Sequence, residues 1–140
     1  MFTGEMSMKF TIHRHVAEKA GEHYDLRIET PECKESDVCV RSFYSRKPFP
    51  TESGPRISIG EEVLHSKEII TFTGEIAEGY GKGSMEIVDT GEAEWIPTKG
   101  KDEIKIKLTG SKYKGEFVII STPQYGEKRF LFLKKSGMSE

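Results

Sequence analysis

The feature that most limits what this chain can fold into is an alternation of residue types with a period of two. The run Glu103-Ile104-Lys105-Ile106-Lys107-Leu108 alternates charged and aliphatic residues over its whole length. Successive side chains of an extended strand point to opposite faces, so this run predicts a half-buried strand with one wet face. Other short runs are separated by fourteen glycines and six prolines. This punctuation is typical of an all-β protein.

Ten such runs predict strands, and one short segment, residues 16–22, is a helical candidate. A sheet of this size usually hides its edges by closing on itself. The sequence therefore predicts an all-β fold, a compact antiparallel β-barrel with little helix. The predicted strands cover residues 9–15, 23–30, 38–45, 56–59, 69–74, 84–89, 93–96, 103–109, 115–121 and 128–134.

Composition predicts one domain and excludes a general nucleic-acid coat. The chain has 140 residues, of which 35% are apolar and 31% are charged. That balance permits a modest core and predicts a single domain over residues 1–140, with its core at about 8–136. The net charge is −2, whereas a protein that coats nucleic acid is basic. Any contact with nucleic acid must therefore come from a local patch.

No part of the sequence predicts a membrane span or an export signal. No apolar run approaches the ~20 residues of a membrane helix, and residues 1–6 lack the basic and apolar regions of a signal peptide. The two cysteines, Cys33 and Cys39, do not form a close Cys-x-x-Cys pair. We therefore expect free thiols in a reducing cytosol. Together these observations predict a cytoplasmic protein with no membrane partner.

Two predicted strands place five polar side chains on one surface. His23, Asp25 and Arg27 alternate with apolar residues, so they share one face of their strand. His13 and His15 share a face of the preceding strand in the same way. The opposite faces are apolar enough to form a core. The pattern indicates a metal site with a phosphate clamp beside it, or else a polar barrel wall.

The chemistry of these residues suits the first interpretation. Histidine and aspartate are ligands for a borderline divalent ion such as Mn²⁺ or Zn²⁺. The planar fork of Arg27 can bind phosphate at two points. His65, the remaining histidine, could act as a general acid or as a donor to the transition state. In the alternative, Arg27 makes a weak surface ion pair, His65 is an ordinary strand-end residue, and the other histidines are neighbours without a metal.

Several segments, in order, carry a family resemblance. The central one is His15-x-Ala17 followed by His23-Tyr24-Asp25-Leu26-Arg27-Ile28-Glu29. Together they resemble the 3′-phosphoesterase module of bacterial DNA ligase D and its free-standing archaeal relatives. The resemblance covers nearly the whole chain, and the combination is more specific than any single motif. The other segments are Ser42-Phe43, Lys47-Pro48, Arg56-Ile57-Ser58-Ile59, residues 72–83, Asp89-Thr90-Gly91, residues 108–117 and residues 130–135.

The resemblance implies a compact β-barrel hydrolase that trims 3′ ends of DNA in repair by non-homologous end joining. The family uses Mn²⁺ to hydrolyse 3′-ribonucleoside phosphodiesters and 3′-phosphomonoesters, with Zn²⁺ or another divalent transition metal as an alternative ion. The implied partners are primer–template 3′ ends carrying a phosphate or a ribonucleotide, and a separate DNA ligase and polymerase. The implied metal ligands are His15, His23 and Asp25. The implied catalytic and phosphate-binding residues are His65, Arg27, Arg56, Lys47 and His13, alongside the metal ligands.

The spacing of the implied ligands departs from the family's pattern. The two ligand histidines of the family are usually six residues apart, whereas His15 and His23 are eight apart. This difference implies a two-residue insertion at Lys19-Ala20 or a neighbouring pair. His13 also stands where relatives often carry glutamine.

Two positions near the implied catalytic histidine also differ. Ile69 stands where the family commonly has a tyrosine, and Val63 stands where it usually has an acidic residue, although Glu62 is adjacent. These differences favour one alternative function, a module that binds nucleic-acid ends with little or no turnover. Metal and phosphate binding without hydrolysis would identify such a module.

A more distant alternative is a cupin-like metal oxygenase or isomerase. The segment His13-Arg14-His15-x-x-Glu18 resembles the first metal motif of a cupin, and a barrel fits that family. This function needs His13, His15, Glu18 and His65 as ligands. It leaves Asp25 and Arg27 without a role, which makes it the weaker alternative.

Overall fold

The computed structural model describes residues 8–79 and 81–136. Residues 1–7, Tyr80 and residues 137–140 lie outside the described part of the chain. The expectation that residues 1–6 are not a signal peptide falls there, as do Tyr80 of the glycine-rich family segment and both ends of the predicted 1–140 domain. None of the helical turns in the described part has the length or the apolar character of a membrane span.

Within the described residues, ten antiparallel strands form one sheet that closes on itself. Strand β1 pairs with both β2 and β7, so eight strands close a ring in the order β1-β2-β3-β4-β10-β9-β8-β7. Strand β5 pairs with β3 and β6 pairs with β7 outside that ring. The prediction of an all-β antiparallel barrel is confirmed. The strands are β1 (Met8–Ala17), β2 (Gly21–Glu29), β3 (Val38–Ser45), β4 (Arg56–Glu61), β5 (His65–Ser66), β6 (Gly74–Ile76), β7 (Gly83–Ile96), β8 (Glu103–Gly110), β9 (Lys114–Ser121) and β10 (Arg129–Lys134).

Alternation along β1 and β2 separates the core from the opposite face of the wall. Phe10, Ile12, Leu26 and Ile28 are at most 1% exposed and belong to one apolar cluster. Each such buried side chain stabilises the fold by roughly 1.5–3 kcal/mol relative to an exposed one. The residues between them therefore point to the outer face of the barrel.

Part of that outer face is covered by residues 65–76, which we call the covering segment. The hydroxyl of Thr11 on β1 donates to the carbonyl of Ile70 at 2.5 Å. Farther along β1, the ring of His13 is 2.8 Å from the carbonyl of Phe72. Ile70 also packs with Val40 of β3. The covering segment thereby buries polar residues of β1 and β2 that a bare barrel would expose.

The predicted break between strands at residues 84–89 and 93–96 is wrong, because β7 runs through Gly83–Ile96. Asp89 and Gly91 are residue types that favour turns, but here both lie within a continuous strand. The Asp89 carboxylate accepts backbone N–H bonds of 3.0, 2.9 and 2.8 Å from residues 111–113. A Cβ at Gly91 would collide with the Thr109 carbonyl of the neighbouring strand.

Two other predicted elements are also wrong. Residues 69–74 do not form a strand, because Lys67–Thr71 is a 3-10 turn capped by the Ser66 hydroxyl. The helical candidate at residues 16–22 is instead the β1–β2 hairpin. Gly21 has φ +79° just after the three-residue loop, which is typical of hairpins that close with a left-handed residue.

The expectation of free thiols is wrong as well, because Cys33 and Cys39 form a disulfide with their Cα atoms 5.2 Å apart. A 3-10 turn at Pro31–Lys34 reverses the chain after β2. The reversal brings Cys33 back to the beginning of β3, where Cys39 is buried. Sequence spacing alone did not reveal this turn.

Candidate active site

A pocket of about 640 Å³ opens on the outer face of the barrel, beside the covering segment. Five of the eight residues implied by the family resemblance line it, namely the three ligand candidates, Arg27 and His65. The pocket therefore joins residues from β1, β2 and β5. Its lining residues are His15, Ala17, Ala20, His23, Asp25, Arg27, Tyr44, Arg46, Glu62, Val63, His65, Ile69, Ile76, Gly81 and Met85.

His15, His23 and Asp25 form a possible metal-binding triad. One ligand atom from each lies within 4.8 Å of the others. Asp25 Oδ2 is 3.4 Å from His23 Nε2 and 3.7 Å from His15 Nδ1. The hairpin register explains this convergence, because His15 and His23 are direct cross-strand partners. The two imidazole rings are tilted by 53° to each other, with centroids 4.7 Å apart.

Backbone carbonyls orient both imidazoles. His15 Nε2 is 2.8 Å from the carbonyl of Gly81, and His23 Nδ1 is 3.4 Å from that of Gly21. A carbonyl oxygen only accepts, so these nitrogens donate to the carbonyls, and the opposite nitrogens face Asp25 Oδ2. Metal-binding histidines usually have such a second partner on the other ring nitrogen.

Asp25 has the character of a ligand rather than of a simple ion-pair partner. Its side chain is buried, and its Oδ1 atom has no hydrogen-bond partner among the described residues. Burial alone would raise the pKa of Asp25, but hydrogen bonds from His15 and His23 and the charge of Arg27 hold it well below its usual range. A buried carboxylate with an unpaired oxygen fits a divalent cation, so the residues present match the group that the resemblance implies.

Arg27 connects the triad to His65. The residue is only 2% exposed, so the interpretation as a surface charge is wrong. Atom Nη2 lies 3.2 Å from Asp25 Oδ2, and atom Nη1 lies 3.4 Å from His65 Nε2. Nη1 also lies 3.3 Å from Glu62 Oε1. The guanidinium therefore spans the pocket from the triad to the histidine on the covering segment.

His65 presents an unprotonated nitrogen to the pocket. Its Nδ1 donates to the carbonyl of Val63 at 2.9 Å, so the neutral ring turns the lone pair of Nε2 toward Arg27. Burial and the charge of Arg27 lower the pKa of His65, although Glu62, 3.9 Å away, partly opposes them. An acidic group thus stands beside this histidine even though the family's usual position holds Val63.

His13 lies behind Arg27 and away from the pocket. It is fully buried, and its Nε2 donates to the carbonyl of Phe72 at 2.8 Å. Its Nδ1 accepts from Arg27 Nε at 3.4 Å. Burial and the charge of Arg27 lower the pKa of His13 to about 4, despite the bond to Phe72. Both nitrogens are occupied, so His13 positions the guanidinium and offers no donor to a phosphate.

The structure does not bring Lys47 or Arg56 to the pocket. Both side chains are exposed, and neither is among the described residues that line it. Arg56 begins β4 at the far end of the β4–β10 pairing, opposite Leu133. The loop between them is anchored elsewhere, since Tyr113 donates to the carbonyl of Phe49 at 2.6 Å.

The four residues that a cupin-like function needs do not converge. His13 is enclosed behind Arg27, and Glu18 is exposed on the hairpin, where it pairs with Lys82 at 3.8 Å. Within residues 8–79 and 81–136, the group of His, Cys, Asp or Glu side chains that could hold a metal is the triad of β1 and β2. The geometry therefore does not support the cupin interpretation.

Sequence reasoning missed two polar lining residues, Tyr44 on β3 and Arg46 just after the strand ends. They share the outer face with Ser42, because β3 alternates around the buried Phe43. The same period-two argument that placed Asp25 would have found them. They were missed because this strand contains no histidine or carboxylate that would indicate a site on its outer face.

Comparison with known proteins agrees with this geometry. The DNA ligase D 3′-phosphoesterase domain matches residues 13–121, a range that contains the triad, Arg27 and His65. No curated protein matches the chain. The family match covers well over half of the sequence and every residue of the central motif. The chain therefore belongs to the DNA ligase D 3′-phosphoesterase domain family.

Proposed function

We propose that this protein is a metal-dependent hydrolase that removes blocking groups from the 3′ ends of DNA in repair. The observation that carries the proposal is the position of Arg27, which spans the pocket between the triad carboxylate and His65. The substrates we propose are 3′-phosphomonoesters and 3′-ribonucleoside phosphodiesters. Family membership supports both the reaction class and the DNA end.

His15, His23 and Asp25 would hold the metal, which we propose is Mn²⁺. When bound, a divalent ion withdraws charge from a phosphoryl oxygen and makes phosphorus easier to attack. The three protein ligands leave positions for water and for a substrate oxygen. The carbonyls of Gly81 and Gly21 hold the two imidazoles in the orientation that this requires.

Arg27 and His65 would act on the other side of the phosphoryl group. Substrate phosphate displaces the Glu62 carboxylate from Arg27 Nη1, and the guanidinium then donates to phosphoryl oxygens. The negative phosphate also favours a proton on His65 Nε2, against the opposing charge of Arg27. The protonated Nε2 donates to the phosphoryl oxygens as their charge increases.

Several further features belong to the same proposal. The protein would work as a single domain in the cytoplasm, where it would prepare 3′ ends for a separate DNA ligase and polymerase. The disulfide is uncommon for that compartment. It packs in one apolar cluster with Ile69 and Ile70 of the covering segment. Lys47 and Arg56 would contact DNA beyond the pocket rather than the reacting phosphate.

The test is hydrolysis of a 5′-labelled primer–template that ends in a 3′-phosphate or a single 3′-ribonucleotide. We expect cleavage of both with Mn²⁺, and none after chelation or in Asp25→Ala. Arg41→Ala is the matched control, because Arg41 pairs with Glu61 and does not line the pocket. Binding of the labelled end without any hydrolysis by wild-type protein would contradict the enzyme and indicate the non-catalytic module that Ile69 and Val63 favour.

A further inference from the structure

Tyr44 lies beside the proposed reacting site in a lateral row of residues across four neighbouring strands. Asp25 of β2 pairs with Tyr44 of β3, Tyr44 pairs with Gly60 of β4, and Gly60 pairs with Arg129 of β10. Adjacent strands are about 4.8 Å apart. The residue that carries the aromatic ring is therefore one strand away from the triad carboxylate. The next strand, β4, lies under the ring.

The ring of Tyr44 lies over Gly60. A Cβ at Gly60 would be 2.5–2.6 Å from the Cζ, Cε2 and hydroxyl atoms of Tyr44. Gly60 does not have a positive φ, so its backbone conformation does not require glycine. The absent side chain instead leaves space for the ring to lie close to the wall.

Arg129 fixes the hydroxyl end of the ring. Its Nη1 donates to the Tyr44 hydroxyl at 3.2 Å, and its Nη2 donates to Ser58 Oγ at 2.9 Å. The guanidinium carbon is 5.8 Å from the ring centroid. Tyr44 is nevertheless 36% exposed and lines the pocket. A ring that is held on one side and at its tip therefore keeps an open face beside the phosphate site.

We infer that the base of the 3′-terminal nucleotide stacks on Tyr44 while its phosphate occupies the pocket next to Asp25 and Arg27. A sugar carries its base sideways from the phosphate, which matches the displacement of Tyr44 along the row. Every base has a π-face, so stacking of this kind is tolerant of sequence. Tyr44 thus selects for a terminal nucleotide that carries a base, irrespective of which base it is. The inference rests on the proposed function for the identity of the ligand as a nucleic-acid end.

The experiment uses the Mn²⁺-loaded protein and compares two substrates that differ only in the terminal residue. One primer ends in a normal nucleotide 3′-phosphate and the other in an abasic residue with the same 3′-phosphate. We expect wild-type protein to show a KM about 5- to 150-fold lower for the base-bearing end, the range of base–aromatic stacking. In Tyr44→Ala this ratio should fall to near one, whereas Tyr44→Phe should retain most of it.

Two further variants separate stacking from other effects. Gly60→Ala keeps every lining side chain but pushes the ring away from the wall, so it should also lower the ratio. Tyr125→Ala removes an exposed aromatic side chain that does not line the pocket, and it should leave the ratio unchanged. Equal KM values for the two ends in wild type, or a ratio in Tyr44→Ala equal to that of wild type, would overturn the inference.

A binding measurement distinguishes failure of this inference from failure of the proposed reaction. A primer ending in 2-aminopurine 3′-phosphate reports stacking by loss of fluorescence, whether or not the phosphate is removed. Quenching by wild type but not by Tyr44→Ala supports stacking on Tyr44 even if no hydrolysis occurs, and the proposed reaction alone would then fail. Absence of quenching by wild-type protein overturns the inferred stacking even if hydrolysis is fast.

Discussion

Arg27→Lys keeps the positive charge in the pocket and removes the planar fork. In the structure, Nη2 reaches Asp25 on one side and Nη1 reaches Glu62 and His65 on the other. The third nitrogen, Nε, donates to the buried His13. A lysine ammonium is a compact point charge, so it cannot serve both sides of the pocket at once. The substitution therefore tests bidentate phosphate binding rather than charge.

The expected loss follows from these contacts. Removal of one donor to a developing oxyanion costs about 2.7–4 kcal/mol of transition-state stabilisation, or 10²–10³-fold in rate. Because lysine retains the charge, we expect kcat/KM to fall about 100-fold. The substitution also leaves His13 Nδ1 without a donor, and a buried unsatisfied acceptor costs about 1–3 kcal/mol of folding stability.

The assay is single-turnover hydrolysis of the 3′-phosphate primer, with thermal unfolding measured in parallel. Arg41→Lys is the matched control, because it breaks the paired bonds of 2.8 and 3.0 Å to Glu61 outside the pocket. The control should hydrolyse the primer at the wild-type rate. Arg27→Lys activity within about threefold of wild type, well inside the expected loss, would refute the role of the fork.

Four other outcomes are expected. His65→Ala should lower kcat by about 10²–10³-fold while Mn²⁺ and DNA-end binding persist, as kinetics and a separate binding titration would show. His13→Gln should retain activity, because an amide can donate to the Phe72 carbonyl and accept from Arg27. His13→Leu should lower activity at least tenfold, the size of effect seen when residues that orient metal ligands are replaced. Asp89→Asn should destabilise the fold by about 2 kcal/mol near neutral pH, measured by denaturant titration. Reduction of the disulfide should lower the free energy of unfolding by roughly 2 kcal/mol. A thiol reagent should label both cysteines after reduction and neither of them before it.

The Asp89 effect has a defined pH dependence. Burial opposes ionisation, but three backbone N–H bonds lower the pKa of Asp89 below its ordinary value. The wild-type advantage over Asp89→Asn is therefore present above that value and is lost as pH falls through the lower pKa of the folded state. A wild-type advantage that grows as the pH falls would contradict this.

Equal activity of His13→Leu and His13→Gln would show that His13 does not position Arg27.

Much of the fold and the centre of the site could be predicted because both depend on strand periodicity. Alternation put Asp25 and Arg27 on one face and Leu26 in the core, and the structure has that arrangement. Periodicity says nothing about what covers a face. The burial of His13 depends on the Phe72 carbonyl of the covering segment, which is 59 residues away in sequence. The inference that His13 positions Arg27 rather than contacting phosphate therefore could not be reached from the sequence.

The errors have a similar origin in contacts between distant residues. Asp89 looks like a turn residue, but its carboxylate satisfies the backbone of a turn more than twenty residues later. The segment after His65 is apolar enough for a strand, yet the Ser66 hydroxyl caps a 3-10 turn there. The exposed positions of Lys47 and Arg56 likewise depend on how their loop is anchored, which local sequence does not specify.

The β1–β2 hairpin has an evolutionary consequence for the metal triad. In an antiparallel hairpin, cross-strand partners are placed symmetrically about the tip, as His15 and His23 are here. Two residues added at the tip lengthen the ladder by one pair and preserve both the three-residue loop and the facing histidines. A single added residue would break that symmetry. Such a hairpin can therefore change length by even steps without separating the two histidines, so the spacing of eight here is compatible with the spacing of six that the family resemblance implies.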